Sequence, residues 1–456
     1  MEGSNIKYNS NSNIKNNLKF ILPSLLGIIL FMIPIKYNHK ITIPVAIFSN
    51  ALVNFLGSSL IYIITFILVI SAVISIITKI FKPKFILENS FLKTLFNVGP
   101  LWLLARVFGA IFSLLTLFGI GSEFIIGDST GAFVLNDLLT VLFSIFLFAG
   151  LLLPLLLNFG LLEFFGALLT KVMRPIFKLP GRSSIDCITS WLGDGTLGIL
   201  LTSKQYEDGF YTKREAATIS TTFSAVSITF SLIVISQVGL SHMFIPFYLT
   251  VSFAGIVAAI IVPRIPPLSR KSDTYYNDNI KENLEVIPEG YNSFSWGYKN
   301  ALEKAVNAYD IKKFFTEGFK NVLDMWLGVL PVVMCLATLA LIIAEYTTIF
   351  QVLGTPFIPI LKLLQVPEAT AASQTLIVGF ADMLLPSVLA ANTITNEMTK
   401  FIVACVSVTQ LVYMSEVGGL LLGSKIPVNL KDLILIFLER TLVTLPVIVL
   451  IANLLF

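Results

Sequence analysis

The residues of this chain that could do chemistry gather in four short stretches. In Gly193-Asp194-Gly195-Thr196 a carboxylate stands between two glycines. Glycine lets the backbone approach a ligand closely, and a carboxylate in apolar surroundings is costly unless it faces a cavity or a partner. Asp382 holds the matching place in GFADMLLPSVLA, which opens at Gly379 and includes Ser387. Ser220, Ser224, Ser227 and Ser231 recur at i, i+4, i+7 and i+11, one face of a helix. A later stretch carries Ser407 and Gln410, with Tyr413 and Glu416 three residues apart and so neighbours on a helix. These groups can hydrogen-bond a polar solute. The competing reading is structural: serines let membrane helices approach, and the aspartates cap half-helices. Gln410, Tyr413 and Glu416 are larger than packing requires.

Enzyme signatures are absent. There is no GxxxxGK[ST], HExxH, GxSxG or CxxC, so no enzyme activity is expected. Cys187, Cys335 and Cys405 lie apart in apolar surroundings, and His39 and His242 are too few for a metal centre. No cofactor is expected. Energy for transport would come from Na⁺, H⁺ or the solute gradient, with Asp194, Asp382 and Glu416 as the carboxylates that could couple it. Arg106 and Arg440 lie inside apolar stretches. Either could be a substrate-carboxylate partner or a structural ion pair, and Arg440, beside Glu439, is expected to belong to structure or snorkel to the interface. Glu163 and Asp324 are expected to be ordinary interfacial charges.

The elements that position these groups are apolar. The 456 residues are 55% hydrophobic and 13% charged, with mean hydropathy +0.86, where soluble domains carry about 25% charged residues. A helix needs about 20 residues to cross the hydrocarbon core. Spans are expected at Leu18–Ile35, Ser58–Ile80, Val98–Ile120, Asn136–Asn158, Ala216–Gly239, Phe244–Pro263, Asn321–Ala344, Phe401–Leu422 and Leu433–Leu455, with a half-helix at Ile41–Leu56. Ile185–Leu201 and Ala371–Ala390 are apolar but too short or too interrupted to cross. Irregular backbone at that depth must lie against protein or a watery cavity. No small-residue cleavage site follows the first block, so it reads as a retained helix. A net charge of +4 does not suggest nucleic acid. Basic residues crowd the loops at 79–93, 171–182 and 204–214, which places those loops and the N-terminus in the cytoplasm.

The halves resemble each other. RPIFKL from Arg174 and IPILKL from Ile358 stand about 184 residues apart, and the two broken segments and the stretches from Thr212 and Thr395 follow in the same order at nearly the same offset. The span count puts the two broken segments on opposite sides. The expected fold is therefore an all-α, polytopic transmembrane helix bundle with two inverted repeats, each containing a broken or re-entrant helix. Such paired breaks are a transporter design, with the solute held between the repeats.

WLGDGTLGILLTSKQYEDGFYTKREAATISTTFSAVSITFSLIVISQVGL, from Trp191, resembles the YjiH-like membrane proteins with their nucleoside-recognition Gate domain, and the likeness extends from LPSLLGIILFMIPI at Leu22 to the final helix. The resemblance implies a bacterial plasma-membrane protein with paired Gate repeats. It does not name a substrate, since Gate domains occur in nucleoside carriers, in a ferrous-iron transporter and in spore maturation proteins. The expected organisation is a disordered cytoplasmic tail (1–17), N-terminal transmembrane helices (18–135), a first Gate repeat (136–263), a partly helical cytoplasmic linker (264–320), with an interfacial helix over Ser293–Phe319, and a second Gate repeat (321–456). The expected function is secondary transport of a small polar, nucleoside-like solute by alternating access. The alternative is a non-transporting subunit of a membrane assembly, and either a homo-oligomer or a partner membrane subunit fits.

Overall fold

The computed structural model describes residues 14–33, 35–37, 40–193, 195–223, 228–276, 287–308 and 310–456. It is a bundle of α-helices, and seven are long and apolar enough to cross a membrane: Ser59–Phe81, Pro100–Phe118, Phe133–Leu157, Ser241–Arg270, Ile311–Tyr346, Glu397–Gly423 and Leu430–Leu455. Lipid offers backbone no hydrogen bonds, so apolar stretches of this length close their own ladders as helices. Polar residues set the ends. Pro100 opens one helix and Gly119, at φ +64°, closes it. A capping box of Asn429 and Asp432 starts the last helix, and Thr212 with Glu215 makes another ahead of Lys213–Thr222.

One order of elements occurs twice. A crossing helix, Phe133–Leu157, leads to the amphipathic helix Leu161–Phe177, then to a helical hairpin (183–207), an interrupted helix (213–237) and the crossing helix Phe244–Ile261. Later, Ile311–Tyr346 leads to Ile349–Leu363, a second hairpin (369–393), a second interrupted helix (397–423) and Leu430–Leu455. These are called below hairpin 1 and hairpin 2, and interrupted helix 1 and interrupted helix 2.

Contacts fix which ends share a side. Arg264, past the end of Phe244–Ile261, donates to the carbonyls of Pro175 and Ile176 near the foot of hairpin 1. Lys271 reaches the Pro427 carbonyl and pairs with Asp432 at the start of the last helix, 2.6 Å away. Ser293–Ala308 lies against Leu161–Phe177 on that same side. On the other side, Tyr346 stacks edge-on against Phe124, and Phe456 meets Phe401 near the start of interrupted helix 2.

Two sequence expectations change, and that for the linker gains detail. Within the expected span Ala216–Gly239, one helix, Lys213–Thr222, ends at Phe223, and Ile228–Gln237 is described as a second helix; of the four serines, Ser224 and Ser227 lie outside the described residues. The 264–320 stretch contains two helices, Ser293–Ala308 and Ile311–Asp324, and the second runs on into the crossing helix through 320. Glu163 is no interfacial charge. It is buried, at 5% exposure, and faces Arg182 at 3.5 Å.

Candidate functional site

Hairpin 1 is closed by bonds between its own arms. Asp186 of the first arm accepts a hydrogen bond from the Thr202 hydroxyl of the second at 2.9 Å. Closer to the tip the arms nearly touch, since a methyl on Gly198 would sit 2.4 Å from Ser190 Oγ. These two pairs step inward toward the tip, so the chain returns to the side it came from. Gly193 ends the first arm and Gly195 opens the second, with Thr196 buried beside it. Asp194 lies outside the described residues. At the foot, the Arg182 guanidinium pairs with Glu163 and covers the Phe210 ring at 3.6 Å.

Hairpin 2 is held from outside. At its foot, Glu368 accepts from the amide and hydroxyl of Thr395. Those two bonds hold the Glu368 carboxyl below its ordinary range. At its tip, Asp382 accepts from the Leu384 amide at 2.8 Å and from the Ser415 hydroxyl at 2.7 Å, while the Ser415 amide donates to the Ala381 carbonyl. Gln410 Nε2 donates to the Leu376 carbonyl and to Thr441 of the last helix. The tip is thus docked on the gap in interrupted helix 2.

That gap is built from strained backbone. Leu411 has φ +60°, a left-handed conformation that bulky residues avoid. Such strain persists only where the surroundings impose it, and it gathers at functional sites. The helix resumes at Met414. Tyr413 donates to Glu416 at 3.2 Å across the gap's far edge.

The structure therefore brings Asp382, Gln410, Tyr413 and Glu416 around one gap. Ser407 lies a turn earlier, and its hydroxyl bonds back to the Ala404 carbonyl. Ser387 is buried in the second arm of hairpin 2, its hydroxyl without a hydrogen-bond partner among the described residues. In the first half, Gly193, Gly195 and Thr196 form the edges of the hairpin tip, and Ser224 and Ser227 lie outside the described residues. Beside hairpin 1, a cavity of about 300 Å³ opens among Ser203, Lys204, Glu207, Lys320, Asn321 and Asp324.

Sequence reasoning missed Asp186 and Ser415. Asp186 stands in a short apolar stretch, and the signal available was its spacing of 16 from Thr202, meaningful only once a hairpin is supposed. Ser415 had the gap beside it as its only mark. Arg440 neither pairs with a carboxylate among the described residues nor snorkels. It is fully buried and donates to backbone carbonyls. Arg106 is also buried, donating to Ser75 and to the Leu95 carbonyl.

Residues 139–241 match the Gate family, described as nucleoside recognition. That range takes in hairpin 1 and interrupted helix 1 entire. Over 441 residues the chain is 53% identical to an uncharacterized protein of Alkalihalophilus pseudofirmus, covering 97% of this chain and 95% of that one.

Proposed function

We propose, for a chain that belongs to the same family as the Alkalihalophilus protein and carries a nucleoside-recognition Gate domain, that it is a secondary transporter of a small polar, nucleoside-like solute. It works by alternating access between inverted repeats, 136–263 and 321–456, with 18–135 as flanking helices, 264–320 as the linker and 1–17 as a cytoplasmic tail. The membrane is the bacterial plasma membrane, with the N-terminus inside. Support for inversion comes from the two hairpin feet, which meet opposite sides of the bundle. The foot of hairpin 1 lies with Arg264, and hairpin 2's is followed directly by the helix start that meets Phe456.

The observation that carries the reading is the docking of the Asp382 tip on the gap at 411–413. A carboxylate, an amide, a phenol and a second carboxylate converge where two helices are broken, and broken helices at corresponding places are where such transporters hold solute. The matching site of the first half is Gly193–Thr196 with Ser224 and Ser227. Gly193, Gly195 and Gly379 are the hinges, and Na⁺ or H⁺ couples through Asp194, Asp382 or Glu416.

Thermal-shift screening of the purified chain with nucleosides, bases, amino acids and metal ions tests this. A ligand at a hundredfold its dissociation constant stabilises by about 2.7 kcal/mol. Uptake in proteoliposomes should then fall in Asp382→Asn and Gln410→Ala. Unchanged uptake in both variants sinks the assignment of the site.

A second reading has its own observation. The hydroxyls of Thr221, Ser407 and Thr409 bond back to carbonyls of their own helices, as residues that serve packing do. A non-transporting subunit would show no ligand shift, and small membrane proteins would co-purify with it at fixed stoichiometry.

A further inference from the structure

The last helix contributes a cation that the transport reading does not use. Arg440 has 0% exposure and is the largest fully buried side chain among the described residues. Its Nε donates to the Thr409 carbonyl at 2.8 Å, and its Nη1 to the carbonyls of Thr221 and Thr222 at 3.5 and 3.3 Å. These acceptors are not arbitrary. Thr221 and Thr222 end the first half of interrupted helix 1, and Thr409 is next to last in the first half of interrupted helix 2.

The last carbonyls of a helix have no partner within it. Each helix C-terminus also carries about half a negative charge. Two such ends facing one point present about one negative charge, which one guanidinium neutralises. No carboxylate among the described residues pairs with Arg440. Glu439 is its chain neighbour and projects from a different face of the helix. Beside the guanidinium a cavity of about 20 Å³ remains, lined by Trp191, Thr222, Tyr248, Thr409 and Leu411. That is room for about one water, not for a second hydrated cation.

The same face of the last helix ties in hairpin 2. Thr444 bonds the Thr409 hydroxyl, and Thr441 accepts from Gln410, whose amide also reaches the Leu376 carbonyl of hairpin 2. Phe244–Ile261, the corresponding crossing helix of the first half, presents buried Ala254, Ala258 and Ala259 and has no arginine or lysine along its length.

Half-helix C-termini and unwound carbonyls are the groups with which broken-helix carriers coordinate an exchangeable cation. We infer that Arg440 is a tethered cation: its guanidinium permanently fills a monovalent-cation site formed where the first halves of both interrupted helices end. The junction then needs no Na⁺, and any coupling ion binds elsewhere. This goes beyond the transport reading and does not depend on it.

The test reads thermal stability of the full chain in detergent, so loss of transport cannot be confused with it. Wild type, Arg440→Ala and Arg440→Lys are melted in choline, Na⁺ and millimolar methylguanidinium salts at equal ionic strength. Methylguanidinium should not move the wild-type melt, and any Na⁺ shift, from a coupling site elsewhere, should be equal in wild type and Arg440→Lys. Arg440→Ala should melt lower in choline, with a saturable recovery in methylguanidinium or Na⁺. Arg440→Lys should fall between them and respond to Na⁺ no more than wild type does. An Arg440→Ala melt that is unchanged, or lowered equally in every salt, overturns the inference. Should Arg440→Ala fail to fold, the other two chains still decide. An equal response to Na⁺ in wild type and Arg440→Lys, or none in either, supports the inference, and saturable Na⁺ stabilisation of wild type that vanishes in Arg440→Lys overturns it.

Discussion

The two hairpins occupy the same place in the order of elements and are held in different ways. Hairpin 1 is locked between its own arms, where Asp186 bonds Thr202 and Gly198 presses on Ser190, and only its foot is tied outward, by Arg182 to Glu163 of Leu161–Phe177. Hairpin 2 is clasped by its neighbour: Asp382 bonds Ser415 and Gln410 bonds the Leu376 carbonyl. Internal locking makes an element move as one body. External clasping makes its position depend on the helix that clasps it. The difference predicts different parts for the two halves in the proposed alternating access, with the tip of hairpin 2 following interrupted helix 2.

The sharpest way to break this comparison is at the foot of hairpin 1. Arg182→Ala leaves Glu163 buried and unpaired, which should cost about 3–5 kcal/mol of stability. Replacing both residues by leucine should recover most of that, read by thermal melting of the two variants side by side. A smaller loss is expected from Gly198→Ala, since its methyl would meet Ser190 Oγ at 2.4 Å. Overpacking of this kind costs about 1–3 kcal/mol, and it should appear as faster proteolysis or hydrogen exchange within 183–207 while 369–393 is unaffected.

Ser415→Ala probes the other hairpin. It removes one hydrogen bond to a carboxylate that keeps the Leu384 amide, a loss of about 1.5–3 kcal/mol at most. The expected signature is local: a cysteine placed at Met383 becomes easier to label, and hairpin 1 does not change. Equal loosening of both hairpins would erase the distinction between them. The smallest effect lies at Glu368. Its carboxyl is held below the ordinary value by Thr395, so the folded state favours the ionised form. The clasp is therefore complete above the unfolded carboxyl value of about 4.3 and weakens as pH falls through the lower folded value. Hydrogen exchange at the foot of hairpin 2 should rise in that acid window, and in Glu368→Gln the pH dependence should disappear.

Much of this fold could be read from residues in order. Ser59–Phe81 and Leu430–Leu455 announce themselves by apolar length, and the interruptions at Gly193–Gly195 and Gly379–Asp382 by residues that helices in lipid do not tolerate without help. Asp382, Gln410, Tyr413 and Glu416 were legible as a group because size and polarity set them apart from packing residues. Asp186 and Ser415 were not, since a lone small polar residue gains meaning only from its partner. Arg440 was legible as an oddity. From the sequence, Glu439 beside it suggested a structural ion pair or a snorkelling side chain, and the structure instead gives it backbone carbonyls as partners.

The amino-acid order alone determined that the chain crosses a membrane many times and breaks two segments in matching places, because hydropathy and backbone satisfaction are local properties. Only the tertiary structure decided that the broken segments fold back as hairpins and that Arg440 meets three carbonyls. Those outcomes depend on partners 16, 31 and more than 200 residues away. An orphan carbonyl at a helix end looks the same in any sequence until packing brings a donor to it.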